Sequence, residues 1–131
     1  MPSEPQPPQG LGILLLSGGH ERAHYAFILA TGAAALGRPV VVFATNDGCR
    51  ALLADWSGMD PDARDAAVRA TGVAGFATLR EAAGELGVRM IMCEAGMRMA
   101  GLDTSLVAQG VEVAGVATFL EASRRAQLLS L

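Results

Sequence analysis

The fold of this chain is decided by the stretch VRMIMC at residues 88–93 and the stretch EAGMRMA that follows it at residues 94–100. The first stretch is a short apolar run that predicts a buried strand, Val88–Met92, and the second has helical spacing. A strand that passes directly into a helix is typical of a parallel α/β sheet, which binds ligands at the carboxyl ends of its strands. Cys93 stands at this junction, where the amide groups and dipole of a helix stabilise a thiolate. Chemistry at a single sulfur atom is therefore the leading hypothesis.

The same alternation of strands and helices continues on both sides of this stretch. Further strands are predicted by apolar runs at Leu11–Leu16, Val40–Ala44, Val111–Val116 and Leu128–Leu131. Helices are predicted at His20–Leu36, Cys49–Asp55, Asp62–Ala70, Thr78–Leu86, Asp103–Gln109 and Thr118–Arg125, the last with Thr118 as its cap. The alternation predicts an α/β fold with three layers, α/β/α, around a mainly parallel sheet of roughly five strands. Residues 56–76 are punctuated by Gly and Pro, and we expect a mobile excursion there.

The length of 131 residues suits a single domain with its own core. Residues 1–10 carry four of the six prolines and are expected to form a disordered lead-in, which leaves residues 11–131 as the folded domain. The lead-in has no positively charged start, and the apolar run after it is too short for a signal peptide. No stretch approaches the ~18 consecutive apolar residues of a membrane span. We therefore expect a cytoplasmic protein without a membrane partner.

The composition of the chain favours some classes of partner and of chemistry and excludes others. The chain is 51% hydrophobic with a mean hydropathy of +0.35, and this apolar surplus predicts a homo-oligomer. The net charge of −3, without any basic run, argues against nucleic-acid binding. Two cysteines do not make a disulfide framework, so reduced thiols are expected. All ten basic residues are Arg, which excludes a Schiff-base lysine and a P-loop lysine.

Right-handed crossovers would bring the carboxyl ends of all the strands to one edge of the sheet. This edge is predicted to gather the candidate site residues His20, Asp47, Cys49, Cys93, Glu94, Arg98 and Thr118. The carboxylate of Glu94 disfavours a thiolate on its neighbour Cys93, whereas Arg98, about one helical turn further on, could offset that charge.

Residues 20–24 read HERAH, which matches the H-E-x-x-H pattern of zinc proteases. These are the only two histidines of the chain, and no acidic residue between Glu21 and Asp47 offers a third ligand. The pattern also begins directly after a Gly-Gly turn, so His20 falls in the first turn of its helix. An ordinary first turn is favoured, and a zinc hydrolase is a minor alternative. No metal is expected, although His20 could donate a proton or contact a ligand at the sheet edge.

The two cysteines each allow a reactive and a structural interpretation. From the residues alone, Cys93 is either a reactive thiol or a small buried hydrophobe, and both interpretations stay open. The methionines around it are interpreted as core or interface filling in preference to a Cu(I) cluster. Cys49 also follows a strand, and it is either a second relay thiol or a helix-start residue without a role. The second interpretation is favoured.

Three segments of the second half, GVRMIMC at residues 87–93, GL at residues 101–102 and GVEVAGVATFL at residues 110–120, resemble the DsrE/DsrF-like family. LGRPVVVF at residues 36–43 is similar to the first half of that family, so the resemblance covers nearly the whole chain after residue 10. Family members are small α/β sulfur-relay proteins. The resemblance implies that Cys93 takes up a sulfane sulfur as a persulfide and hands it to another cysteine, with no metal or organic cofactor. It also implies sulfur-donor and sulfur-acceptor proteins or small persulfides as partners, and a homotrimer or hexamer.

A function of a different class competes with sulfur transfer. A non-enzymatic module that binds a small molecule, a nucleotide or a soft metal could use the same edge of the sheet and keep the cysteine incidentally.

Overall fold

Five parallel strands form one sheet in a computed structural model that describes residues 9–131. The strands are β1, Gly10–Leu15; β2, Val40–Ala44; β3, Arg89–Cys93; β4, Glu112–Ala114; and β5, Ala126–Ser130. The α-helices are α1, His20–Ala35; α2, Arg64–Ala70; α3, Phe76–Glu85; α4, Glu94–Met99; and α5, Val116–Ala122. Short 3-10 helices occupy Asn46–Leu52, Ser57–Met59 and Thr104–Leu106. Residues 1–8 of the predicted lead-in lie outside the described residues, and Gly10, its last residue, already belongs to β1. None of the helices within residues 9–131 has the length and apolar character needed to cross a membrane.

The order of the strands explains why the two faces of the sheet are covered unequally. The order is β4-β3-β2-β1-β5, so the chain steps in one direction from β1 to β4 and then returns across the whole sheet to β5. Right-handed crossovers in one direction lie on one face, and a reversed crossover lies on the other. Accordingly α1, α3 and α4 pack against one face, here called the α1 face, and of the helices in residues 9–131 only α5 packs against the other, the α5 face. The predicted three-layer α/β/α fold is confirmed, with layers of unequal size.

Aromatic side chains fix the helices on both faces. On the α1 face, Phe27 of α1 meets Phe76 of α3 edge to face, with ring centroids 5.3 Å apart. On the α5 face, Phe119 stacks on Phe43 of β2 at 4.7 Å. Full burial of one such ring contributes about 1.5–3 kcal/mol. The short helix α5 is therefore held on the sheet largely by Phe119.

The predicted helix at Asp103–Gln109 is wrong. Only Thr104–Leu106 is helical, because the chain then extends and Val107 forms an antiparallel bridge with Leu53. The bridge is flanked by hydrogen bonds from the amide of Ala54 to the carbonyl of Leu106 and from the amide of Ala108 to the carbonyl of Leu52. These long-range bonds replace the local ones of a helix.

Two further predictions of local structure need correction. The helix α5 begins at Val116 with Gly115 as its N-cap, so Thr118 lies inside the helix and does not cap it. The predicted strand at Val111–Val116 is accordingly shortened to β4. The predicted helix at Cys49–Asp55 is instead the 3-10 helix at Asn46–Leu52, which places Cys49 in its middle.

The segment predicted as a mobile excursion, residues 56–76, packs against α1 and α3. Met59 is buried, and the ring of Trp56 meets that of Phe76 edge to face at 5.0 Å. Asp65 binds His20 of α1 through its carboxylate. The segment thus has fixed attachment points, and its mobility stays a prediction.

Candidate functional site

Cys93 is both the last residue of β3 and the N-cap of α4. It is only 7% exposed, and its Sγ atom accepts a hydrogen bond from the backbone N–H of Gly96 at 3.4 Å. An N-cap side chain normally accepts from an amide two or three residues on, and sulfur takes that role here. A sulfur atom in this position has a hydrogen-bond donor available for any negative charge it carries.

Cys93 also lies where the connections of two neighbouring strands diverge. Its register partner on β4 is Ala114. After Cys93 the chain turns to the α1 face, where Met97 is buried, and after Ala114 it turns to the α5 face, where Phe119 is buried. In open α/β sheets, ligands bind at the carboxyl ends of strands at such a topological switch point. The topology therefore marks the carboxyl ends of β3 and β4 as the candidate site.

A close approach between α4 and the end of β2 fixes the position of the sulfur. A Cβ atom at Gly96 would lie 2.5 Å from the backbone nitrogen of Asn46 and would also collide with Oγ1 of Thr45. Asn46 itself has a positive φ of 53°, which asparagine tolerates better than most residues. Glycine at position 96 is thus required by the contact that aims its N–H at Cys93.

The surroundings of Cys93 on the α5 face are apolar. Its side chain belongs to a buried cluster with Val41, Phe43, Ile91 and Phe119. Such a cluster excludes water from the sulfur on one side, and the edge of the sheet is the remaining side of approach.

Glu94 and Arg98 form an ion pair on the exposed side of α4. The Arg98 Nη2 and Glu94 Oε1 atoms are 2.8 Å apart, with side chains 76% and 50% exposed. Arg98 thus neutralises the carboxylate next to Cys93, as the spacing suggested. An exposed pair of this kind adds about 0–1 kcal/mol to stability, so its consequence is the local charge around the sulfur.

Cys49 has a very different environment from Cys93. It is fully buried in the core of the α1 face, and its Sγ donates to the carbonyl oxygen of Ala44 at 3.6 Å. Burial, reinforced by the nearby Cys93 and Asp47, raises the pKa of the Cys49 thiol to about 11. Both cysteines are free thiols. A thiol that stays protonated at neutral pH is a poor nucleophile, which argues against a second relay thiol.

The remaining predicted site residues are spread around the edge. The ring of His20 turns to the α1 side, where its Nε2 atom lies 2.7 Å from Oδ1 of Asp65. Asp47 is exposed at the end of β2, and Thr118 is half-buried within α5. The structure thus groups Cys93 with Glu94 and Arg98 and turns His20 to the opposite face.

Two residues that shape the site, Gly96 and Phe119, are not among the residues predicted for it. Gly96 could have been predicted from the sequence, because the backbone N–H of the third residue of a helix commonly donates to the N-cap side chain. Phe119 could not, because it reaches Cys93 only through the return of α5 across the sheet.

The histidines of the H-E-x-x-H pattern are engaged in structural hydrogen bonds. His20 pairs with Asp65, and Nε2 of His24 donates to the carbonyl oxygen of Ala74 at 2.8 Å. Across residues 9–131, no group of three or more His, Cys, Asp or Glu side chains is arranged to hold a metal ion. The hydrogen bonds of the two histidines hold residues 65–74 against α1.

Comparisons with known proteins agree on one family and one fold. A model of the DsrE/DsrF-like family matches residues 10–130. No curated protein matches the chain. The solved structure of the ychN protein from E. coli is similar, with 15% identity, a TM-score of 0.66, and coverage of 94% of this chain and 99% of that chain. MTH1491 from Methanobacterium thermoautotrophicum, a protein of unknown function, has 18% identity and a TM-score of 0.58, with the same coverage of 94% and 99%. At these identities, the two likenesses show the fold alone.

Proposed function

The chain belongs to the DsrE/DsrF-like family, which is related to sulfur relay in general, and on that premise we propose that it carries sulfane sulfur as a persulfide on Cys93. In this proposal the sulfur comes from a donor persulfide and passes to the thiol of an acceptor. The observation that carries the proposal is the placement of Cys93 as the N-cap of α4 at the switch point, with the Gly96 N–H on its sulfur.

Sulfur uptake needs one exchange of bonds and no outside oxidant. The Cys93 thiolate attacks the outer sulfur of the donor persulfide, a new S–S bond forms on Cys93, and the donor leaves as a thiolate. In the second step, the acceptor thiolate attacks the outer sulfur on Cys93, and Cys93 leaves as a thiolate. The sulfur on Cys93 is negatively charged before and after each step, as a thiolate or as a persulfide. The hydrogen bond from the Gly96 N–H stabilises that charge.

The low exposure of Cys93 restricts the kinds of partner that can reach its sulfur. Because the residue is only 7% exposed, a donor or acceptor must present its sulfur at the carboxyl edge of the sheet. A small persulfide, or a protein cysteine on a protruding loop, meets this requirement. The role of donor and acceptor proteins follows from the family alone.

We also propose that copies of the chain associate, as a homotrimer or a hexamer. Three apolar side chains near the α5 face, Val116, Leu120 and Leu128, are 55%, 54% and 55% exposed. Contact with another copy would remove this apolar surface from water. We further propose a cytoplasmic location, since a relay thiol must stay reduced.

Intact-protein mass spectrometry after incubation with polysulfide tests the proposal. Wild type, Cys49→Ser and Cys93→Ser are compared before and after a reductant. We expect a reversible gain of sulfur in wild type and in Cys49→Ser, and none in Cys93→Ser. Equal loading of both single variants would mean unselective thiol chemistry. No loading of wild type would reject the carrier and leave the binding module as the alternative.

A further inference from the structure

A cavity of about 580 Å³ lies at the amino ends of the strands, at the opposite edge of the sheet from Cys93. Its floor is formed by the first residues of four strands, Gly10, Val40, Arg89 and Ala126. One wall is formed by Ala122, the last residue of α5, and by Arg125, which follows the helix. The cavity exists because the seven-residue helix α5 covers only part of its face. Its volume is within the range of small-molecule sites.

The lining of the cavity is apolar with a positively charged rim. Leu11, Pro39, Val40 and Val41 supply apolar surface, and no carboxylate from residues 9–131 lines the cavity. Small residues keep it open, since a Cβ atom at Gly10 would already lie 3.2 Å from the Cβ of Ala126.

Two of the three arginines near this edge have no carboxylate partner within the described residues. Arg89 is paired with Glu112 at 2.7 Å, but Arg125 has no hydrogen bond or ion pair with any residue of the described part of the chain. Within residues 9–131, Arg38 donates to uncharged acceptors, the carbonyls of Gln9 and Gly10 and the side-chain oxygen of Gln127. Within residues 9–131, Arg38 and Arg125 therefore have no carboxylate partner, and Arg125 lines the cavity.

We propose that this cavity binds a small amphipathic carboxylate, with its apolar body on the strand starts and its carboxylate on Arg125. Apolar lining selects the body of the ligand, and an unpaired guanidinium recognises a carboxylate in a fork geometry that no other side chain provides. The positive charge of Arg125 disfavours a metal cation. The site is independent of the sulfur chemistry, since Cys93 lies at the other end of β3.

The chain offers a matched control for the test. Arg124 neighbours Arg125 and is similarly exposed, but it pairs with Glu121 at 3.5 Å and does not line the cavity. Octanoate is the probe, and its binding to the full chain is measured by isothermal titration calorimetry. We expect Arg125→Gln to weaken octanoate binding about tenfold and Arg124→Gln to leave it unchanged. Ala122→Leu, which fills the cavity from α5, should abolish binding.

Two further titrations separate the parts of the proposal. Octanol lacks the carboxylate and acetate lacks the apolar body, so both should bind much more weakly than octanoate. Cys93→Ser should bind octanoate as wild type does, whether or not wild type loads sulfur. The proposal is overturned if wild type does not bind octanoate, if Arg124→Gln and Arg125→Gln weaken binding equally, or if Ala122→Leu binds normally.

Discussion

The backbone N–H of Gly96 donates to the Sγ atom of Cys93 across 3.4 Å, and the same glycine is wedged against Thr45 and Asn46 at the end of β2. The two contacts are linked, because α4 can hold its amide on the sulfur only while it stays close to β2. Any side chain at position 96 must push α4 away and withdraw the donor. The hydrogen bond at the candidate site therefore depends on the lack of a side chain at position 96.

We therefore expect Gly96→Ala to slow the sulfur loading of Cys93 strongly and to lower the free energy of unfolding by about 1–3 kcal/mol, as overpacking does. Gly32→Ala is the control, because nothing lies within 4 Å of a Cβ atom at that position. Alanine at this position within α1 should even stabilise the fold by about 0.5–1 kcal/mol. Mass spectrometry measures the loading, and thermal melting shows that each variant is folded. Normal loading of folded Gly96→Ala would contradict this role of the N–H.

The buried thiol of Cys49 makes stability depend on alkaline pH. Its pKa is raised from 9.0 to about 11 in the folded chain, mainly by burial. The unfolded chain therefore loses this proton first, so the stabilisation is complete below pH 9 and is lost as the pH rises toward 11. The expected loss is about 2 kcal/mol. The absence of Lys leaves few other groups that titrate in this range.

Urea unfolding of wild type and Cys49→Ala at pH 8 and pH 10.5 measures this effect. Removal of the side chain lowers stability at pH 8, and the difference between the two proteins should shrink at pH 10.5, because only wild type has a Cys49 thiol to ionise. A difference that stays constant would show that Cys49 ionises equally in the folded and unfolded chains.

The sequence was sufficient for the central strands and for the position of Cys93. β1 and β2 are largely buried and form unbroken apolar runs, and β3 is apolar and buried after its exposed first residue, Arg89, so these strands have little ambiguity. The apolar run at residues 111–116 was misleading because β4 is a short edge strand. Only three of its residues pair, and Gly115 ends the strand and starts α5.

Other features depend on residues far apart in the chain. The pairing of His20 with Asp65 spans 45 positions, and neither residue carries a local sign of it. The face of the sheet on which Cys93 lies was equally hidden, because it depends on the direction in which the chain returns from β4 to β5. Both features depend on how distant parts of the chain come together, whereas the periodicity of apolar residues predicts only local structure.

The carboxylate of Asp65 makes stability depend on acidic pH. Burial alone would raise the pKa of Asp65, but hydrogen bonds from the His20 ring and the Phe76 amide, with the charges of His20 and Arg69, outweigh it and hold the pKa below its usual range. Stability from this group is therefore present above the ordinary pKa of about 4 and is lost as the pH falls through the lowered one.

Asp65→Asn should remove this acid dependence and cost about 1–3 kcal/mol at pH 7, where a charged hydrogen-bond acceptor is lost. Asp62→Asn, which alters an exposed carboxylate on the same segment, serves as the control. Chemical unfolding from pH 7 to pH 3 compares the slopes. If Asp65→Asn and wild type lost stability in parallel between pH 5 and pH 3, another group would have to cause the acid dependence.

The ion pair between Glu94 and Arg98 offers a way to test electrostatic control of Cys93. Arg98→Gln leaves the carboxylate of Glu94 uncompensated beside the sulfur, which disfavours both the thiolate and the approach of an anionic polysulfide. Because both side chains are exposed, we expect only a twofold to fivefold slower loading, or roughly 0.5–1 kcal/mol. The double variant Glu94→Gln/Arg98→Gln removes both charges and should load at close to the wild-type rate. A defect of the same size in the double variant would assign the effect to packing of the Arg98 side chain. High salt provides an independent check, since it should reduce the difference between Arg98→Gln and wild type.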